Sequence, residues 1–275
     1  MSEHLTQANK PSFTMVINSK NYKALINKTL GDTQRASRFV AAITSAVVTN
    51  PDLSECDAST IISAGFLGES LNLSPSPQLG QYYLVPFNDK KHNRRVAQFQ
   101  LGYKGYIQLA IRSGQYKKLN VLPIKEGELI SFNPLDEEIE VKLIEDEEER
   151  ENAATIGYYA MFEYINGFRK CIYWSKEKML AHALQFSKGF AAKKGCTFWE
   201  KDFDAMALKT MLRQLISKWG IMSVEMQEAY TKDMTSINSD GSYEYVDNKE
   251  DIIPQEEPTE EEVAGGAGQV NIDEI

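Results

Sequence analysis

Apolar positions recur at helical spacing near the start of the chain. Between residues 33 and 49 they follow one face of a helix, which Pro51 stops. Asp57 has the side chain of an N-cap for a second helix that runs to about Leu71. This pattern predicts a helical pair whose apolar faces pack in the core or, in the alternative interpretation, between subunits.

After Ser74 the pattern changes to short strands. Residues 81–87 and 96–101 are rich in Tyr and Val and flank the basic loop Lys90 to Arg95, which predicts a β-hairpin with a basic tip. Further strands are expected over residues 119–124, 128–132, 138–144, 155–164 and 168–174. The dipeptide Asn166-Gly167 between the last two is a strong signal for a tight hairpin turn.

Three more helices are expected among these strands. One opens at Gly102 and ends before Gly114, a second follows the cap Ser175 over residues 176–186, and the longest spans residues 199–219. The sequence therefore predicts an α+β fold: a small antiparallel β-sheet of hairpins packed against a long helix, with N-terminal helices.

Polarity divides the chain into three parts. Residues 1–30 are expected to be a lead-in, residues 31–230 a folded core, and residues 231–275 a disordered acidic tail. Residues 145–151 are expected to form an exposed acidic loop and residues 186–197 a loop with Gly and Lys. A membrane span and a signal peptide are both absent from the sequence and the three cysteines are scattered, so we expect a cytoplasmic protein.

The net charge of -9 hides a strong segregation of charge. Residues 231–275 hold 13 acids against two lysines, and residues 136–151 hold ten acids against two bases. Residues 78–125 hold nine bases against the single Asp89. A basic core with two acidic appendages favours a nucleic-acid partner, although the average charge does not.

Two predicted helices carry basic faces. Lys104, Gln108 and Arg112 share one side of the helix that opens at Gly102, and Lys117 and Lys118 follow it. An ordinary solvated face is the alternative interpretation for one such helix. The long helix repeats the pattern, with its apolar stripe opposite a side that holds Lys209, Thr210, Arg213 and Gln214.

Aromatic side chains flank both basic faces. They are Tyr82, Tyr83, Tyr103, Tyr106, Tyr116, Phe186, Phe190, Phe198 and Trp199. A basic groove with stacking aromatic rings is typical of proteins that bind single-stranded nucleic acid without reading its sequence. Any one of these rings is more often a core residue, and Phe198 and Trp199, beside Lys201, are the least clearly so.

Several segments resemble the signatures of a known family. Leu71–Pro75 with Gly80–Phe87, then Phe99–Tyr106, Gly157–Ala160 and Phe198–Thr210 resemble, in this order, the motifs of the RecT family. Arg213 falls where the last motif expects a base. The resemblance covers about residues 70–230.

The resemblance implies a phage or prophage recombinase that works in the bacterial cytoplasm. Such proteins bind single-stranded DNA, anneal complementary strands through a duplex intermediate and promote strand invasion without ATP. They assemble as homo-oligomeric rings or helical filaments and act with a phage exonuclease, and host single-strand-binding protein is a further candidate partner. The distantly similar strand-annealing proteins of eukaryotes and phage lambda share a small antiparallel sheet with a long helix behind it.

The candidate DNA-binding residues combine basic helical faces with motif positions. They are Gln81, Tyr103, Lys104, Gln108, Arg112, Lys117, Lys118, Lys188, Phe198, Trp199, Lys209, Thr210, Arg213 and Gln214. The sequence has no phosphate-binding loop and no convincing nucleophile or metal motif, so we expect no enzyme and no required cofactor. Mg²⁺ is compatible with this expectation, but no predicted site holds it.

Two other function classes stay open. One is a protein that coats single strands without annealing them. The other is a metal-dependent nuclease that uses carboxylates such as Asp202, Asp204 and Glu163. Two segments have more than one interpretation. The hairpin tip is a clamp, an intersubunit contact or a solvated loop. The acidic tail is a solubilising appendage, a mimic of nucleic acid or a docking segment. The acidic residues 136–151 either repel DNA from an outer face or meet a neighbouring protomer.

Overall fold

Helices and antiparallel strands alternate along the chain in the computed structural model, which describes residues 11–195 and 197–245. The helices are α1 (Phe13–Ile17), α2 (Lys20–Leu30), α3 (Thr33–Thr49), α4 (Ala58–Ser70), α5 (Tyr103–Ser113), α6 (Glu147–Asn152), α7 (Lys176–Phe186), α8 (Lys188–Ala191), α9 (Phe198–Lys201), α10 (Phe203–Trp219) and α11 (Val224–Lys232). The strands are β1 (Tyr82–Asp89), β2 (Arg94–Leu101), β3 (Tyr116–Lys125), β4 (Leu129–Asn133), β5 (Glu138–Val141), β6 (Thr155–Tyr164), β7 (Arg169–Ser175), β8 (Thr235–Ile237) and β9 (Tyr243–Tyr245). The predicted α+β class is confirmed.

The two longest N-terminal helices begin directly after capping residues. The Asp32 side chain accepts hydrogen bonds from the backbone at the start of α3, and Asp57 accepts one from the Ser59 N–H at 3.0 Å. Both predicted helices are confirmed. The lead-in expected before residue 31 is also helical from Phe13 onward, because Phe13 and Ile17 are buried in the same apolar core. Residues 1–10 lie outside the described residues.

The strands form three antiparallel sheets, in the orders β1-β2-β8-β9, β3-β6-β7 and β4-β5. Both predicted long hairpins are present, and Gly167 takes a φ of +88° in the turn between β6 and β7. In the first hairpin Tyr82 pairs with Leu101 and Asp89 with Arg94. This register places the start of β1 beside the start of α5.

The boundary expected at residue 231 lies further along the chain. Strand β8 pairs with β2 through Phe99 and Thr235, and β9 adds to β8, so the folded part includes residues that were expected in the tail. Thr235 and Ser236 are buried there. The rest of the expected tail, residues 246–275, lies outside the described residues.

Two apolar clusters meet on α10, the long helix behind the sheets. Leu212 and Ile216 belong to the larger cluster, which unites the N-terminal helices, the β1-β2 hairpin and α5. Met211 and Leu215 belong to the second, which joins β6, α7 and α9. Because one helix serves both clusters, α10 fixes the two halves of the described fold to each other.

Three local predictions differ from the structure. The helix expected over residues 199–219 is broken at Asp202, whose side chain accepts from the Ala205 N–H and caps α10 separately from α9. The acidic loop expected over residues 145–151 contains α6, capped by Asp146, where the Glu residues of the first turn face the positive end of the helix dipole. The loop expected over residues 186–197 contains α8.

Candidate nucleic-acid interface

Three motifs that are far apart in the sequence meet at one place in the fold. They are Gly80–Tyr83 at the start of β1, Gly102–Lys104 at the start of α5, and Phe198–Asp202 around α9. The Tyr83 and Phe198 ring centroids are 5.7 Å apart. We call Tyr83, Tyr103, Lys104, Phe198 and Lys201 the aromatic–lysine surface: its three rings are half-buried and its two lysines are exposed.

Glycines allow these segments to approach so closely. A Cβ on Gly102 would lie 2.1 Å from the carbonyl oxygen of Gly80, and a Cβ on Gly105 would lie 2.2 Å from that of Gln81. The Gly102 N–H donates to the Gln81 carbonyl oxygen at 2.8 Å, which ties β1 to the first turn of α5. Gly80 takes a φ of +61°, a conformation that favours glycine.

The surface combines neutral rings with positive charge. Lys104 Nζ lies 6.0 Å from the Tyr103 ring centroid and Lys201 Nζ lies 5.9 Å from that of Phe198. Burial, and then the nearby Tyr103 and Asp202, raise the pKa of Tyr83, so its phenol stays neutral. Flat neutral rings beside ammonium groups can stack on bases while the lysines contact phosphates.

The predicted basic face of α5 continues from this surface. Lys104, Gln108 and Arg112 are all exposed, as the helical wheel predicts. The Arg112 guanidinium donates to the Gln108 carbonyl oxygen at 3.3 Å and to that of Asn72 at 3.4 Å, which leaves it on the outer side of the helix. Ile111 of the same helix is also exposed.

Lys117 and Lys118 follow this helix, as expected, and lie on β3. Both side chains are exposed and both form ion pairs with Glu163 of β6. The hydrogen bond from Lys117 is the main cause that lowers the pKa of Glu163. Their positive charge is therefore partly balanced within the chain. Lys188 is exposed at the start of α8.

The long helix does not present its basic side to solvent, which corrects the prediction for Lys209, Thr210, Arg213 and Gln214. Lys209 and Thr210 are buried, and Arg213 and Gln214 are mostly so. The Thr210 hydroxyl donates to the Met206 carbonyl oxygen within the helix. A helical wheel does not show whether a later segment of the chain covers a helix face. Here the segment between α11 and β8 covers the basic side of α10 through Asp233.

The Asp233 carboxylate forms ion pairs with both basic residues of that face, Lys209 and Arg213. This carboxylate is fully buried and accepts from Lys209 Nζ at 3.0 Å and from Arg213 Nη1 at 2.7 Å. It also accepts from the Leu101 N–H at 2.8 Å and from the Tyr106 hydroxyl at 3.3 Å. Burial, and then the charge of Asp233, raise the pKa of Tyr106 well above its ordinary range. These groups form a buried ionic network that joins β2, α5, α10 and the end of α11.

Two other residues that were predicted to contact DNA have side chains that form contacts within the fold. Trp199 is buried and packs against Phe190 and Phe203, with its ring centroid 5.1 Å from that of Phe203. The Gln81 side chain accepts from the Ser74 N–H at 2.7 Å. Tyr83 was noted in the sequence only as a flanking ring, and its alternation with the buried Tyr82 along β1 is the signal that could have placed it at the surface.

The three carboxylates considered for a nuclease each make a different contact within the fold. Asp202 caps α10, Asp204 accepts from the Tyr158 hydroxyl, and Glu163 pairs with the lysines of β3. Among residues 11–195 and 197–245, the one group of three potential metal ligands that converge is Asp89, His92 and Glu244. Arg94 and Lys91 already pair with its two carboxylates, so it fits an ion-pair cluster better than a cation site.

The basic hairpin tip is largely paired within the chain. Arg94 lies 3.2 Å from Asp89, Arg95 forms an ion pair with Glu55, and Lys91 lies 3.8 Å from Glu244.

In the described part of the chain, no helix has the length and apolar character that a bilayer span requires.

Comparison with known proteins agrees with the convergence of these motifs. The sequence model of the RecT family matches residues 37–252. The uncharacterised protein YqaK of Bacillus subtilis (strain 168) is 48% identical over 196 residues, which cover 71% of this chain and 63% of YqaK, less than two thirds of its length. Protein RecT of Escherichia coli (strain K12) is 31% identical over 247 residues, 86% of this chain and 88% of that protein. The chain therefore belongs to the RecT family.

Proposed function

We propose that this chain binds single-stranded DNA and anneals complementary strands in phage homologous recombination, without ATP and without acting as an enzyme. The observation that carries the proposal is the meeting of three family motifs in the aromatic–lysine surface. Family membership supports recombination by strand annealing as the general activity. Strand invasion, a ring or filament of identical subunits, a phage exonuclease partner and contact with host single-strand-binding protein belong to the same proposal.

Annealing requires that two polyanions approach each other while their base edges stay free. Lys104 and Lys201 reduce the repulsion between phosphates, and the rings of Tyr83 and Phe198 hold bases by their faces. Neither contact reads a base edge, so any sequence is accepted. Correct pairing then contributes about 1.4 kcal/mol per base-pair step, which favours the matched register.

The backbone path continues along the exposed side of α5. Lys104, Gln108 and Arg112 are spaced so that they span about 12 Å of that helix. Lys209 and Arg213 do not belong to this path, because Asp233 neutralises them in the interior. Adjacent protomers continue the path in the proposed oligomer.

The deciding experiment measures annealing of two complementary oligonucleotides by fluorescence, without ATP and at two salt concentrations. The parent should accelerate pairing and leave both strands at full length. Lys104→Ala should slow annealing and reduce the log–log salt slope of single-strand binding by about 0.7, the value for one phosphate contact. Lys23→Ala, which removes an exposed lysine from α2, is the matched control and should behave like the parent.

Each other outcome favours a different function. Tight binding without faster pairing would indicate a coating protein, and strands shortened in the presence of Mg²⁺ would indicate a nuclease. Equal salt slopes for Lys104→Ala and the parent would show that the DNA path lies elsewhere on the chain.

A further inference from the structure

A group of large apolar side chains is exposed at the far end of α10, outside the aromatic–lysine surface. Ile165 is 70% exposed, Phe168 46%, Trp219 46% and Ile221 48%. We call these four residues the Trp219 patch. A group of exposed apolar side chains around one buried residue, here Tyr164, indicates an interaction surface, whereas single exposed apolar residues are ordinary.

Tyr164 joins the members of the patch to one another. Its hydroxyl donates to the Trp219 carbonyl oxygen at 3.0 Å and accepts from the Ile221 N–H, and its ring stacks on Phe168 with centroids 5.9 Å apart. The Tyr116 hydroxyl also donates to the Ile221 carbonyl oxygen at 3.0 Å. The patch is therefore formed before any partner arrives, and a partner that binds it does not have to order it.

Lysines accompany the patch in space or in sequence. Lys170 Nζ lies 3.9 Å from the Trp219 ring centroid, Lys218 precedes Trp219 in sequence and is exposed, and Lys117 and Lys118 follow Tyr116 on β3. Lys170 pairs with Glu137, and the two lysines of β3 share Glu163, so four lysines face two carboxylates. A matching partner has an apolar centre with acids on both sides.

The chain itself contains such a segment. Residues 250–257 read Glu-Asp-Ile-Ile-Pro-Gln-Glu-Glu, in which two isoleucines and a proline have two acids on each side. We infer that Ile252–Pro254 of this chain dock on the Trp219 patch, with the flanking acids against its lysines. The tail then has a specific binding site on its own fold, beyond the proposed annealing activity and independent of it.

The place where the described chain ends makes this contact reachable within one molecule. The Tyr245 hydroxyl donates to the Thr231 carbonyl oxygen at 2.6 Å, near the end of α11. Helix α11 begins at Val224, three residues after Ile221, so its seven steps to Thr231 span about 11 Å. Ile252 follows Tyr245 by seven residues, which reach up to about 23 Å.

The test measures acrylamide quenching of Trp219 in the full chain. The Trp219 signal is the difference between each protein and the same protein with Trp219→Phe, because two other tryptophans also emit. We expect the double variant Ile252→Ser, Ile253→Ser to show stronger quenching and a red-shifted Trp219 emission. The matched control Ile272→Ser, Ile275→Ser changes two tail isoleucines outside the segment and should leave both readouts unchanged.

Several results would overturn the inference. Quenching that is the same in the parent and in the Ile252–Ile253 variant would show that this segment does not cover the patch. Protection that increases with protein concentration, whatever the tail sequence, would assign the patch to a second copy. Protection that arises only after single-stranded DNA is added would assign it to bases. None of these outcomes depends on whether the protein anneals DNA, so the two proposals can fail separately.

Discussion

Replacing Asp233 by Asn removes the negative charge of the buried ionic network with almost no change in side-chain shape. The amide oxygen can still accept from the Leu101 N–H and from the Lys209 ammonium, which share one oxygen of the aspartate. The amide nitrogen, however, is a donor, and it would face the guanidinium of Arg213, which is also a donor. Both cations would remain in the interior without their shared counter-charge.

The cost of this change follows from the burial of all three groups. The side chains of Lys209, Arg213 and Asp233 are 6%, 12% and 0% exposed. Removing one partner of such a buried pair typically costs about 3–5 kcal/mol, because the remaining charge is uncompensated. The free energy of unfolding of native proteins is only about 5–15 kcal/mol, so the variant should stay folded but lose a large part of that free energy.

Urea unfolding followed by circular dichroism measures this loss. With a denaturant slope of about 3 kcal/mol per M, the midpoint should fall by about 1–1.7 M while the slope stays constant. Asp240→Asn makes the same change of charge in an exposed turn and should leave the midpoint unchanged. Adding Lys209→Met to Asp233→Asn should recover part of the loss, because one unpaired cation is then removed. A midpoint within about 0.3 M of the parent would refute the reasoning, since it would correspond to less than about 1 kcal/mol.

The other predictions concern close packing, pH and stacking. Gly102→Ala should lower stability by about 1–3 kcal/mol, measured by thermal unfolding, because its Cβ would meet the Gly80 carbonyl oxygen at 2.1 Å; an unchanged midpoint would contradict this. Burial raises the pKa of the Glu128 carboxyl, but hydrogen bonds from Arg150 and two backbone N–H groups outweigh burial and hold that pKa below 4.5. Glu128→Gln should therefore be less stable than the parent at pH 7. The urea midpoints of the parent and the variant should converge as the pH falls through the pKa of Glu128 in the folded protein. Tyr83→Ala should lose about 1–3 kcal/mol of single-strand affinity in fluorescence anisotropy, whereas Tyr83→Phe, which keeps the ring, should bind like the parent; equal losses would point to the hydroxyl instead.

Local sequence signals were sufficient for most of the elements. Asp57 and Ser175 cap the helices that they were expected to cap, and Asn166-Gly167 makes the expected turn. Each of these signals acts within about four residues of its own position, through a hydrogen bond or an allowed φ. The surrounding chain does not have to be known for such a prediction to be correct.

The errors about the faces of α10 and about the tail came from partners that are distant in sequence. The basic side of α10 looked like a solvent face, because Asp233 lies 20 residues after Arg213 and nothing in the helix indicates that it returns. For the same reason β8 was expected in the tail, although it pairs with β2. The aromatic–lysine surface was found in part, because Tyr103, Lys104 and Phe198 were among the candidate residues, whereas Tyr83 and Lys201 lie in the same motifs and were noted only as neighbours.

The pairing of β2 with β8 has a consequence for folding during synthesis. Phe99 and its partner Thr235 are 136 residues apart, so the β1-β2 hairpin leaves the ribosome long before the strand that completes its sheet. At about 5–20 residues per second, this interval lasts about 7–27 s. Throughout that time one edge of β2 is unpaired and available to other chains. Lys209 and Arg213 also emerge before Asp233, so the interior around α10 can close only after residue 233 has left the ribosome. Chains that stop before residue 233 should therefore be recovered as aggregates instead of as shortened native proteins.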